Sequence, residues 1–563
     1  MIEDSQLLRR QIARRCIFGV DLNPIAVQLA RLSIWIHTFV PGLPLSFLDH
    51  NLVEGNSLVG IATIGEAEAD LKQIIRSLFS LRSDELIGSA QAALAKLADL
   101  SDADAAEIEL ARRASLEARE AVRPAEALFN ILAAARIDED VRTEVQSWPS
   151  LSLGDLEALP KTDIHAKAME SLSTLHPLHF PIVFPEVFLR DRAGFDVIIG
   201  NPPWEEATVE EDKFWMRFEP GFHSLSQHEQ ENIKTALRRD RPDLVAIYER
   251  ELKIAELVRR ALTSGPFPGM GTGDPDLYKA FAWRFWQLVR EYSGRIGVVL
   301  PRSAFSAKGL KEFRLLLFKE SEIEDLTTLK NKAEWVFADL TQQYTLALFS
   351  MKKHMPKVEP SIPIRGPYRD IARFRAGVSQ PAPRYAVKDV LSWTDAAALP
   401  LLPDDASGEV FSQLRKSPRL DYDDKKSWLA RPYAELHATN DKGLMTLAAK
   451  RPEGQWPVFK GESFDIWTPD TGSYYAWADP EKITEALQRK RLRARTAFRG
   501  YPHAYLIDKN TLPCYKPRIA FRDIARGTDP RTFIACLVPP KVVLTNKAPY
   551  FLWPRGDEKD QAY

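Results

Sequence analysis

A chain of 563 residues, 45% hydrophobic and 27% charged, has room for two or three domains that each bury a core. It holds no apolar run of about eighteen residues and no basic-then-apolar leader after Met1, and Cys16, Cys514 and Cys536 lie too far apart for a disulfide framework or a metal-ligand pair, which reads as a cytoplasmic protein without membrane span or metal. The net charge of -1 hides an asymmetry: residues 61–140 hold 16 acidic and 9 basic side chains, residues 481–563 hold 8 acidic and 17 basic, and a basic end suits a polyanion.

In chain order, Cys16-Ile-Phe-Gly-Val-Asp-Leu22 is a short apolar run of strand type. Asn23-Pro24 then supplies an N-cap and a first-turn proline, so the sequence predicts a helix to about His37. Residues 25–36 are apolar nearly all round, which predicts a helix covered on several sides. From Gly65 to Arg136 Ala, Leu, Glu, Lys and Arg dominate, and a helical hairpin or bundle is expected.

After Pro149 the α/β pattern returns. Phe195 to Gly200 reads as a strand ending in a turn, Asp276 to Val289 as a helix, and Arg295 to Leu300 as a second buried strand. Their continuous hydrophobicity predicts a parallel sheet covered on both faces. Gly265 to Gly273 reads as a mobile loop, and from about Met355 prolines multiply and periodicity weakens, which places a domain boundary there.

Asn201-Pro202-Pro203-Trp204, directly after an apolar strand, carries the most chemical information. Two prolines fix φ and remove two N–H donors, so the loop is stiff and presents carbonyl oxygens. Such a surface suits an exocyclic amine. If the Asn201 side-chain oxygen and the Pro202 carbonyl each accept one N–H of an adenine 6-amino group, its nitrogen lone pair faces an incoming methyl group. Trp204 can stack on the base, which must leave the duplex to be reached. Ligands of open α/β sheets bind at this end of the strands.

These residues resemble the amino-methyltransferases with an Asn/Asp-Pro-Pro-aromatic loop, and more narrowly the gamma-ordered adenine-N6 DNA methyltransferases of the large restriction-modification and phage-defence kind. The resemblance implies a doubly wound, Rossmann-like α/β methyltransferase domain with a helical insertion and a C-terminal α+β target-recognition domain. It implies S-adenosyl-L-methionine as cofactor and double-stranded DNA as partner. Gly19 to Pro24 is similar to the family's second motif, so Asp21 and Leu22 would bind the cofactor, the carboxylate on its ribose hydroxyls. Leu48 to Leu58 is similar to the third, which gives Asn56, with Ser57 beside it, to the cofactor adenine. Glu334 to Leu348 resembles the eighth, whose aromatic, Phe337, packs on the other side of the flipped base. Arg518 to Thr532 resembles a target-recognition region, with Arg522, Arg526 and Arg531 toward DNA.

The family's glycine-rich first motif is not found upstream of Asp21. The chain therefore reads as a fragment open at both ends, with the missing central strand expected from elsewhere, another chain being one source. The expected division is residues 1–61 as the start of the methyltransferase domain, 62–150 as the insertion, 151–356 as its remainder, and 357–563 as the recognition domain. Two other readings stay open: a non-catalytic DNA-binding remnant or subunit of a split methylase, and methylation of a protein glutamine amide, which would leave the basic C-terminal region idle.

Overall fold

Asn23 and Pro24 start a helix where the sequence places one. In the computed structural model, which describes residues 4–40, 48, 50–74, 105–148, 153–225, 227–270, 275–338, 340, 344–356, 359–402, 405–422, 428–448, 450–525, 529 and 531–555, Asn23 Oδ1 accepts the N–H of Ile25 at 2.9 Å. Helix α1 (Asp4–Cys16) leads into strand β1 (Gly19–Asp21), and α2 (Pro24–His37) follows. Strand β2 (Leu52–Glu54) runs parallel to β1, with Val20 opposite Val53. Among the described residues these two strands form a sheet of their own.

Helix α2 departs from expectation in its surroundings. Val27 is buried, but Leu22, Ile25, Leu29, Leu32 and Ile36 are exposed, a stripe at helical spacing that no described residue covers.

The second sheet has the order β3-β4-β6-β5-β7-β8. Strand β3 (Val197–Gly200) pairs in parallel with β4 (Arg295–Pro301), Ile198 opposite Ile296. A helix, Leu277–Leu288, lies between them in the chain and packs Trp283, Trp286 and Ala280 into the main core. Beyond β4 the sheet is mixed, not purely parallel. Strand β6 (Thr345–Lys353) is antiparallel to β4 and to β5 (Ser321–Lys330), and β7 (Ser361–Tyr368) is parallel to β5. A hairpin partner reaches the same sheet edge with a shorter connection than a helical crossover, which is how β6 enters between β4 and β5. At the other edge β3 exposes Val197 by 56% and Ile199 by 85%, so its outer face is open, contrary to a sheet covered on both faces.

The segment expected to be helical is helical where described: α3 (Ile64–Ile74) and α4 (Ala105–Ala135) share a core with the helices Glu139–Gln146 and Asp163–Leu172. Residues 75–104 lie outside the described residues. A buried ionic cluster ties this layer to the helix that follows β3. Glu66 on α3 accepts from Arg136 at 2.6 Å and from Arg284, on the helix after β3, at 2.8 Å. Burial opposes ionisation of Glu66, but the two guanidinium groups outweigh it and hold the carboxyl below its usual range.

Met1–Ser412 and Gln413–Tyr563 are the two compact units. The first runs past the boundary expected near residue 356, because β7 and β8 (Arg384–Ala386) extend the large sheet. The second unit holds a four-stranded antiparallel sheet and a three-stranded sheet. Glu435 is buried there, accepting from Arg518 and from the N–H of Leu544, each at 2.8 Å. Among the described residues no helix is long and apolar enough to cross a membrane, and no group of three His, Cys, Asp or Glu could hold a metal ion.

Candidate active site

Asp21, Asn56 and Asn201 sit at the carboxyl ends of β1, β2 and β3, around one cavity of about 570 Å³. Its walls include Leu22, Ser57, Pro202 and Pro203, while its floor is apolar, with Phe18, Phe184 and Phe195 in mutual edge contact. All the residues expected to hold the cofactor therefore share a cavity with the expected catalytic loop.

The local geometry leaves specific atoms free for a ligand. One oxygen of Asp21 accepts the N–H of Asn23 at 2.7 Å, fixing the carboxylate while its second oxygen stays an acceptor. The backbone oxygen of Asp21 accepts the N–H of Gly55 at 3.0 Å, which draws the turn carrying Asn56 and Ser57 toward β1. Asn56 Oδ1 accepts the N–H of Leu58 at 3.0 Å, so its Nδ2 is the group left to donate. Arg284 fixes the same turn from below, donating to Leu58 O at 3.1 Å and Gly60 O at 2.9 Å. Sequence reasoning missed Arg284: an arginine on an otherwise apolar helix face is the signal that was available. Further out, His179 Nδ1 accepts from Ile61 N–H at 3.1 Å and Nε2 donates to Asn130 at 3.0 Å; burial, reinforced by Arg136, pushes its pKa down to about 3.

Past Pro203 the chain is tied to the start of the helix Leu277–Leu288. Leu277 N–H donates to Glu205 O at 2.8 Å, and Ala207 N–H donates to Pro275 O at 3.1 Å. Trp204 is half-buried between this anchor and two other aromatics. Phe337 meets it edge-on, 6.2 Å between centroids, and Tyr344 lies nearly parallel to it at 5.9 Å and 16°.

Asn331, wholly buried at the end of β5, builds the loop that carries both aromatics. Its Nδ2 donates to Phe337 O and Leu340 O at 2.8 Å, its Oδ1 accepts from the N–H of Val336 and Phe337 at 3.1 Å, and its own N–H donates to Tyr344 O at 3.0 Å. Neither Asn331 nor Tyr344 stood out in sequence. An asparagine at a strand end usually marks a plain turn, and Tyr344 directly precedes β6, where an aromatic reads as ordinary strand packing.

In the second unit, Arg522 donates to Phe464 O at 2.9 Å and lies 3.6 Å from Asp465, so its guanidinium already holds a loop of that unit. Arg531 is exposed and Arg526 lies outside the described residues.

Residues 15–258 match the family described as Eco57I restriction-modification methylase. No curated protein matches the chain. Among solved structures it is similar to the type IIG restriction endonuclease BpuSI, with 12% identity and a TM-score of 0.27 over 90% of this chain. It is also similar to the type IIL restriction-modification enzyme MmeI in complex with DNA, with 10% identity and a TM-score of 0.29 over 87% of this chain. The chain spans 65% of the first and 62% of the second.

Proposed function

We infer that this chain is the body of an adenine-N6 DNA methyltransferase of a restriction-modification or phage-defence system. The observation that carries the reading is the union of Asn201, Pro202 and Pro203, at the end of β3 and directly before Trp204, with Asp21 and Asn56 around one cavity. Asp21 fits the two adjacent hydroxyls of a ribose, Asn56 fits the edge of an adenine, and S-adenosylmethionine held there supplies an electrophilic methyl group. Asn201 Oδ1 and the Pro202 carbonyl oxygen accept the two N–H groups of the target amine and turn its lone pair toward that methyl. Trp204 and Tyr344 clamp the flipped base, with Phe337 closing its edge. The test is methyl transfer to DNA from labelled cofactor, with the product nucleoside identified as N6-methyladenosine or otherwise; labelled cytosine would refute the base assignment.

The reading includes one further strand, set along the free edges of β1 and β3. Among the described residues β1 pairs only with β2 and β3 only with β4, so each turns a free edge to the same cavity. Exposed Val197, Ile199 and the α2 stripe are apolar surface that a soluble protein covers. The same open edges favour the second reading, a DNA-binding subunit without chemistry of its own. Titration calorimetry with the cofactor separates them: binding that appears only with an added strand and glycine-rich turn supports the split enzyme, and no binding under either condition supports the subunit. DNA affinity of the second unit is read from Arg522, Arg526 and Arg531: replacing all three by Ala should lower the slope of log K against log salt by about 0.9 for each phosphate that an arginine had neutralised.

A further inference from the structure

Beside the base pocket the structure holds a short, strongly basic helix that no step above uses. Residues 365–384 contain five arginines and one acidic residue, Asp370. They form the end of β7, helix α5 (Ile371–Val378) and the start of β8. A helix of eight residues does not hold its shape unaided. This one is fixed at both ends and in the middle. Asp370 Oδ1 accepts the N–H of Arg373 at 2.8 Å. Arg365 Nη1 donates to the carbonyls of Gly377, Val378 and Gln380 at 3.1 to 3.3 Å. Tyr368 lies so close beneath Gly377 that a Cβ there would stand 2.0 Å from the phenol oxygen, and only glycine admits that approach.

The helix is also coupled to the loop that carries Phe337. Phe374 touches Tyr368 at 6.0 Å and Trp335 at 6.1 Å, and Trp335 Nε1 donates to Lys330 O at 2.8 Å, in the loop organised by Asn331. In that loop Ala333 and Glu334 both have positive φ, 55° and 57°, a costly conformation for residues with a Cβ. The turn leaves Lys332 exposed, and α5 leaves Arg369, Arg373 and Arg375 exposed. Arg373 has a carboxylate only at 3.5 Å, on Asp370. Arg365, Arg369 and Arg373 border a cavity of about 800 Å³. A fixed platform under exposed cations, coupled to the loop that carries Phe337, suits an anionic ligand.

The geometry points to a phosphate grip: Lys332, Arg369, Arg373 and Arg375 hold the DNA backbone next to the nucleotide whose base enters the Trp204 pocket. The inference rests on the reading of that pocket as a base site. Guanidinium groups suit phosphate because their N–H fork meets two oxygens at once. Extruding a base swings its own phosphates outward, and an anchor beside the pocket keeps the rotated backbone from springing back.

The test uses the full chain and two fluorescent duplexes of mixed sequence, each with one unpaired adenine, one of them with neutral methylphosphonates on both sides of that adenine. The triple variant Arg369→Ala, Arg373→Ala, Arg375→Ala should lower the slope of log K against log salt by about 0.9 for each phosphate no longer neutralised, and so by roughly two to three in all, while the Arg→Lys triple keeps most of it. The parent should bind the neutralised duplex more weakly, and the alanine triple should bind both duplexes alike. All three side chains are exposed, so thermal melting should not move; Arg369→Ala alone repeats the measurement if the triple does not fold. Normal binding with an unchanged slope, or an unchanged methylphosphonate penalty, overturns the grip and leaves the base-pocket reading standing. Absence of DNA binding by the parent overturns both.

Discussion

The two sides of the candidate active site are built to different degrees. On the target side, Asn331 makes six hydrogen bonds inside one loop, Trp204 is packed against Phe337 and Tyr344, and β4, β6 and β5 pair side by side behind them. On the cofactor side, Asp21 and Asn56 belong to a two-stranded sheet, β1 and β3 face each other with free edges, and Ile199 stands 85% exposed. The first is a preorganised arrangement, in which dipoles and rings are fixed before any ligand arrives. The second has correct groups on a frame whose spacing no backbone ladder enforces. On the proposed reading, one fold separates recognition of the acceptor from recognition of the donor, and the two should respond differently to mutation.

The largest expected effect lies where the sides meet. Asn201→Ala, in the chain complemented to activity, should lower methyl transfer by about 10² to 10³, on the order of 2 to 4 kcal/mol, with little change in DNA affinity. The measurement is single-turnover transfer beside equilibrium binding. Equal losses in both would place Asn201 in binding and dissolve the boundary between the two sides.

Next in size are the clamp residues. Trp204→Ala or Tyr344→Ala should cost roughly 1 to 3 kcal/mol in binding a duplex with a paired target, and less when the adenine is mismatched, since a mismatched base is cheaper to extrude. Affinity ratios for the two duplexes check this. A ratio equal to the parent's would remove the stacking pair from extrusion and leave the target side without its preorganised element.

Sequence legibility followed the same division. Asn201 to Trp204 were readable because their chemistry is local: two prolines stiffen a loop wherever it falls, and the preceding apolar run fixes the strand end. Asp21 and Asn56 were readable only through resemblance, since a carboxylate or an amide at a strand end has no local signature. Tyr344 and Asn331 act across a loop closed by tertiary hydrogen bonds, which no periodicity records. The continuation of the first unit to Ser412 was hidden for a related reason. Pro363 and Pro367 fall within β7, and prolines ordinarily argue against a strand, yet β7 lies next to the edge strand β8, where fewer ladder hydrogen bonds are needed. Apolar spacing did give α2 correctly, while its exposure depends on what packs against it.

A smaller effect tests the outer anchor of the cofactor side. His179 is buried and neutral, accepting from Ile61 N–H, with its folded-state pKa at about 3 against an ordinary 6.5. A depressed folded value means that the unfolded chain takes up a proton the folded chain refuses. Stability should therefore be full above about pH 6.5 and fall by about 1.4 kcal/mol per pH unit as the pH drops toward 3. Melting temperatures at pH 7.5 and 5.5 measure it. His179→Gln should be less stable at pH 7.5 and lose less on acidification; an identical acid loss would assign the effect to another group that titrates between these two pH values.

The smallest expected effect probes the open face directly, through two neighbours on one strand. Ile198 of β3 packs with the phenylalanines beneath the cavity and against the main core, whereas Ile199, one residue on, turns to the opposite face and is 85% exposed. Alternation along a strand makes this a comparison of two faces with backbone and residue type held constant. Ile198→Ala removes packed methylene groups and should destabilise the chain by about 1 to 2 kcal/mol, less than a fully buried site would because Ile198 is only half-buried. Ile199→Ser touches nothing and should stay within about 0.5 kcal/mol. The same serine should nevertheless abolish much of the gain when a complementing strand is added, because the side chain then lies under whatever covers that face. Denaturant melts of both variants, alone and with the complementing segment, supply the four numbers. A loss at Ile199 equal to that at Ile198 in the chain alone would show that the face is already covered in solution, by a second copy or by a segment folded back on it, and that the cofactor side is as complete as the target side.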